Sequence, residues 1–123
     1  KYLLKLARLK NIKMKVNQKG HTVTIKDTQG DLVSFLMKVT HEYKTFSKDN
    51  IIIDISHYDN LSVKEVSGFL NLSKTHRKSK KSFVVVAENV DFNAFPEKLI
   101  VVPTPLEAHD IIEMEEIERD LGF

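Results

Sequence analysis

The chain of 123 residues contains no cysteine. Disulfides, thiolate metal sites and thiol nucleophiles are therefore excluded. Such a chain fits a reducing compartment, so a cytoplasmic location is the expectation. Tryptophan is also absent, and stacking on a base or a sugar would fall to Tyr, Phe or His. The glycines are Gly20, Gly30, Gly68 and Gly122, too far apart to build a phosphate-cradling loop. None of the five histidines lies in an H-x-H, H-x-x-x-H or H-x-x-E-H spacing, so no metal site and no cofactor are expected. No apolar run is long enough to span a bilayer.

Residues 1–13, KYLLKLARLKNIK, alternate Leu with Lys and Arg near helical spacing, as a membrane-surface helix does. They lack the apolar stretch and small-residue cleavage site of a signal peptide. Met14 opens MKVNQKG, which reads as a natural start. Residues 1–13 are therefore set aside as a basic extension, non-native or upstream of the true start. The domain is assigned to 14–123, long enough for one core and too short for two.

The apolar and charged fractions, 41% and 29%, are those of a globular chain. The net charge of +2 conceals a strong asymmetry. Lys1, Lys5, Arg8, Lys10, Lys13, Lys15, Lys19 and Lys26 precede the first acid. Residues 107–120 carry Glu107, Asp110, Glu113, Glu115, Glu116, Glu118 and Asp120 against Arg119 alone. A second basic cluster holds Lys74, Arg77, Lys78, Lys80 and Lys81.

Apolar patterning gives the element order. Lys15–Lys19 and Thr22–Lys26 read as two strands around Gly20, the second alternating as a half-buried strand should. Leu32, Leu36, Val39, Tyr43 and Phe46 share one helical face. Ile51–Ile55 is apolar except for Asp54, which predicts a central strand covered on both faces. Ser62 and Glu65 form an S-x-x-E capping box, opening a helix to about Lys78 with Val63, Val66, Phe69, Leu70 and Ser73 inward. Ser82–Ala87 and Leu99–Val102 are two more buried strands, joined by an irregular 88–98. Thr104, Pro105 and Glu107 open the last helix, which Ala108, Ile111, Ile112, Met114 or Glu115, and Ile117 continue and Gly122 ends. The expectation is a single α/β domain in the order β-β-α-β-α-β-β-α. Its mixed sheet carries an antiparallel opening edge and parallel crossovers.

Over residues 14–123 this order resembles the STAS domain, the fold of bacterial anti-sigma factor antagonists. DTQGDLVSFLMKV is similar to the family's first-helix start, IIIDISHYDNLS to its central strand and turn, and TPLEAHDII to its closing helix. The resemblance implies a non-enzymatic regulatory module that binds another protein. It also implies where: the turn and helix start, with Asp59, Asn60, Ser62, Lys64 and Glu65 as the candidate surface, and Phe92, Phe95 and Pro96 adding apolar contact. The family's D-S-S-G-L motif, with its phosphorylatable serine, is replaced by Leu61-Ser62-Val63-Lys64-Glu65. Aligned on Asp54-Ile55-Ser56, the acceptor position falls on Val63 or Lys64, so loss of the phospho-switch is expected. Ser62 is the remaining phospho-acceptor candidate, and the capping box already accounts for it.

The alternative is an RNA-associated accessory protein using Lys74, Arg77, Lys78, Lys80 and Lys81 on phosphates. A link to ribonuclease Z belongs to this alternative through gene neighbourhood only. That enzyme's H-x-H-x-D-H metal motif is absent, and the chain is too short for its fold. No aromatic RNA-binding pattern accompanies the basic run, and a helix C-terminus favours cations without any ligand. Catalysis by Asp54, His57 and Asp59 is the least favoured reading, because spacing alone builds no site.

Overall fold

A computed structural model describes residues 14–27 and 30–122. The reading of 1–13 as a basic extension, and the middle of the 27–31 turn, lie outside the described residues. Among the described residues, five strands form one sheet in sequence order: β1 (Met14–Lys19), β2 (Thr22–Asp27), β3 (Asn50–Asp54), β4 (Phe83–Val86) and β5 (Ile100–Val102). β1 pairs antiparallel with β2, and the other neighbours are parallel. Ile52 stands opposite Thr24 on one side and Val84 on the other, so the apolar strand is central as expected.

The two faces of the sheet are separate cores, because successive side chains alternate. On one face Val23, Ile25, Ile51, Ile53, Phe83, Val85 and Val101 pack against the helices that follow β2 and β3. These are α1 (Leu32–His41), α2 (Tyr43–Phe46), α3 (Val63–Val66) and α4 (Leu70–Lys78). On the other face Ile52, Val84 and Val86 meet Ala108 and Ile112 of α5 (Pro105–Asp120).

Two local features differ from the periodic reading. The 32–46 helix is broken at Glu42, whose backbone leaves the helical range. The 63–78 helix passes through a tight 3₁₀ turn at Ser67–Phe69. Gly68 in that turn lies so close to α1 that a Cβ there would meet the Leu36 side chain at 3.1 Å. The turn carries fully buried Phe69 onto Phe35, ring edge to ring face at 6.2 Å. In α5, Met114 and Ile117 point outward at 60% and 53% exposure. Ala108 and Ile112, with Ile111 beside them, make the apolar contact of that helix with the sheet.

The crossover from β4 to β5 has no helix. Residues 87–99 run as turns and coil, with Ala87, Leu99, Val90 and Phe95 packed on the first core. Among the described residues no helix is long and apolar enough to cross a membrane.

Candidate functional site

The site expected at 59–65 lies beyond the carboxyl ends of the parallel strands, where open α/β sheets leave a crevice between the chains that depart from them. β3 leaves the sheet at buried Asp54. Its carboxylate accepts from the Ser56 amide at 3.0 Å and the Ser56 hydroxyl at 2.6 Å, which reverses the chain. The Tyr58 amide then donates to the Ile55 carbonyl at 3.2 Å. The Tyr58 hydroxyl donates to the Asp27 carboxylate at the end of β2, and the Gly30 amide donates to the same oxygen at 3.0 Å. Burial, and then the Asp27 carboxylate, push the Tyr58 pKa far up, so this phenol stays a donor. The turn after β3 is thereby tied to the end of β2. Leu61 packs against the first core.

Asn60 has φ +56, in the left-handed region that Asn tolerates better than most residues. It lets the chain turn from Asp59 into α3. Ser62 opens α3 with the expected box. Its hydroxyl accepts the Glu65 amide at 3.1 Å, and the Glu65 carboxylate accepts the Ser62 amide at 3.0 Å. Those bonds, the amide first, hold the Glu65 pKa below its ordinary value. The Ser62 hydroxyl is thus engaged as a cap. Ser62→Ala is expected to cost about 1 kcal/mol in urea unfolding, the value of a lost N-cap. A change under 0.3 kcal/mol, well below that range, would mean that the cap carries no stability.

Asp59, Asn60, Ser62, Lys64 and Glu65 are all exposed. Asp59 and Glu65 share a notch of about 350 Å³ with Tyr58, Leu61 and the start of α1, residues Gly30 to Val33. Asn60, Ser62 and Lys64 stand outside that notch. Asp31 caps α1, accepting from the Ser34 hydroxyl at 2.7 Å and the Ser34 amide at 3.4 Å, and these bonds lower its pKa. Val33, in the notch wall, and Met37, one turn further along α1, are 68% and 67% exposed. Sequence reasoning passed over Val33, Met37 and Tyr58. The available signal was that Val33 and Met37 are apolar, one turn apart, and off the Leu32–Leu36–Val39 stripe. Phe92 is exposed, whereas Phe95 packs on the core.

The catalytic trio does not converge chemically. Asp54 is occupied by Ser56, and His57 is exposed with its ring tilted against Tyr58 at 4.4 Å. Among the described residues no three His, Asp or Glu side chains gather as a metal site.

The basic run does not form one face. Arg77 reaches Glu115 of α5 with both contacts from Nη1, at 3.1 and 3.3 Å, and donates from Nη2 to the Phe83 carbonyl at 3.0 Å. Lys74, Arg77 and Lys78 line a notch with Lys98, a cation outside the run. Lys80, in the left-handed region at φ +64, and Lys81 border a different hollow. Its walls are His21, Asn50, Glu116, Arg119 and Asp120, of mixed sign.

Compared with known proteins, the chain matches no family model and none of the curated proteins.

Proposed function

We propose that this chain is a non-enzymatic protein-binding module of the STAS-like, anti-sigma-factor-antagonist type, acting in the cytoplasm without a phospho-switch. The observation that carries the reading is the surface around the notch at the strand ends. Exposed Asp59 and Glu65 share that notch with the exposed apolar Val33 of α1, and Asn60, Ser62 and Lys64 are exposed along the same turn and helix start. Apolar anchors rimmed by polar groups are what a protein partner needs. The polar groups with chemistry to offer are already bonded within the turn: Asp54 to Ser56, Tyr58 to Asp27, and Ser62 to Glu65. That arrangement favours a fixed shape over a reactive one.

Partner capture tests it. Reversing the charges at exposed positions with Asp59→Lys and Lys64→Glu should reduce capture of the partner from the source cell by about tenfold, equivalent to about 1.4 kcal/mol. Stability should stay within about 0.5 kcal/mol per site. Asn60 is left alone, because a longer side chain at φ +56 would add backbone strain to the result. Lys78→Glu with Lys80→Glu and Lys81→Glu should leave capture intact. The RNA-associated reading gains if RNA co-purifies with wild type, binds with a steep salt dependence, and is lost in that triple variant. Stoichiometric phosphate on Ser62 after incubation with a cognate kinase would restore the switch.

A further inference from the structure

We propose that the notch between α4 and the β4–β5 crossover binds a single phosphoryl group, as inorganic phosphate or a phosphomonoester. This goes beyond the docking surface at 59–65 and involves none of its residues. The notch measures about 210 Å³ and is lined by Lys74, Arg77, Lys78 and Lys98. Lys74 and Lys78 are one turn apart on α4, so their side chains share a face. Lys98 is brought to them by a clamp: the hydroxyl of fully buried Ser73 donates to the Lys98 carbonyl at 2.5 Å. The backbone that carries Lys98 is therefore fixed to the helix that carries the other two.

Arg77 forms the inner wall and is itself held in place. Glu115 balances its charge, and the Phe83 carbonyl takes a second donor. Its Nε–H is buried and has no acceptor. Among the described residues, Lys74, Lys78 and Lys98 form no ion pair. The notch is thus lined by three lysines without an ion pair and by an arginine whose charge is already balanced. The helix C-terminus offsets part of the charge on Lys78, in its last turn. It does nothing for Lys98, which lies on no helix.

A phosphoryl group matches this cluster. It is compact, carries close to two negative charges and offers three acceptor oxygens. Lysines serve it as point charges. A nucleic-acid backbone fits less well, because it needs a track of cations. Lys80 and Lys81 face the separate hollow with Glu116 and Asp120, so the cations do not continue from the notch.

The test is an NMR titration of the full chain with inorganic phosphate and with glycerol 3-phosphate, against sodium chloride at matched ionic strength. Saturable amide shifts are expected at Ser73–Lys78 and Lys98–Leu99. Lys74→Glu and Lys98→Glu should each weaken binding by about tenfold or more, as loss of a charge-assisted contact does. Lys81→Glu should leave it unchanged. The changed side chains at 74 and 98 are exposed, and the same spectra report whether each variant stays folded. Shifts reproduced by chloride, shifts that do not saturate, or equal sensitivity to Lys81→Glu would each overturn the proposal. So would binding of a single-stranded RNA oligomer with none of either small phosphate.

Discussion

His76→Ala is expected to lower stability by about 3 kcal/mol, the sum of a cavity and two broken buried hydrogen bonds. The imidazole is fully buried on the inner side of α4. Its Nε2 lies 2.7 Å from the Asp49 carbonyl, which can only accept, so the proton is on Nε2. Nδ1 then accepts the Tyr43 hydroxyl at 2.6 Å. The ring also packs edge-on to Tyr43 at 5.4 Å and Phe83 at 6.2 Å. One side chain therefore joins α4 to α2, to the loop before β3 and to β4. Urea unfolding of wild type and variant measures the effect, and a loss below 1 kcal/mol would show that water replaces both partners.

The same residue sets an acid response. Burial lowers the His76 pKa below the ordinary 6.5, the Asp49 carbonyl opposing and the charges on Lys81, Arg77 and Arg119 adding to it. The unfolded chain then binds a proton at a higher pH than the folded one does. Stability from this group is fully present above 6.5 and is lost as pH falls from there toward the depressed folded value. The slope from this group is at most about 1.4 kcal/mol per pH unit. His76→Gln should flatten the pH dependence below 6.5. An unaltered slope would move the acid response to other groups.

Asn50→Ala is expected to cost about 2–3 kcal/mol, because the side chain satisfies a buried amide and ties α5 to the sheet. Asn50 opens β3 and is 2% exposed. Its oxygen accepts the Ser82 amide at 2.9 Å and Arg119 at 3.4 Å, and its amide donates to Glu116 at 3.1 Å. Removal orphans the Ser82 amide and frees the last two turns of α5. Urea unfolding gives the loss, and hydrogen exchange should accelerate at Ser82 and over 115–120. Unchanged exchange at both places would refute the anchoring role.

Much of the fold was legible because its signals are local. The alternation in β2, the apolar Ile51–Ile55 and Phe83–Val86, and the capping residues Ser62 and Thr104 each act within a few residues. What escaped was long-range. Asp49 and Tyr43 join His76 across 27 and 33 positions, and Ser73 joins Lys98 across 25. No periodicity carries such pairings. Phe35 escaped because it flanks the Leu32–Leu36–Val39 stripe, yet α1 buries it completely against Phe69. Asp59, Asn60, Ser62, Lys64 and Glu65 are exposed, as residues of a turn between a strand and a capped helix are. The exposure of Val33 and Met37 depends on which side of α1 faces the sheet.

The edges of the sheet constrain how anything can join it. Among the described residues, β1 is a six-residue edge strand with five exposed side chains, including Lys15 and Lys19. β5 has three residues and runs into Pro103 within one position. A charged margin on one side and a stub on the other are poor templates for an incoming strand. A growing ribbon of copies, or a partner that adds its own strand, finds little backbone to zip onto. Association is steered instead to helices and turns, where recognition is read from side chains rather than from main-chain hydrogen bonds.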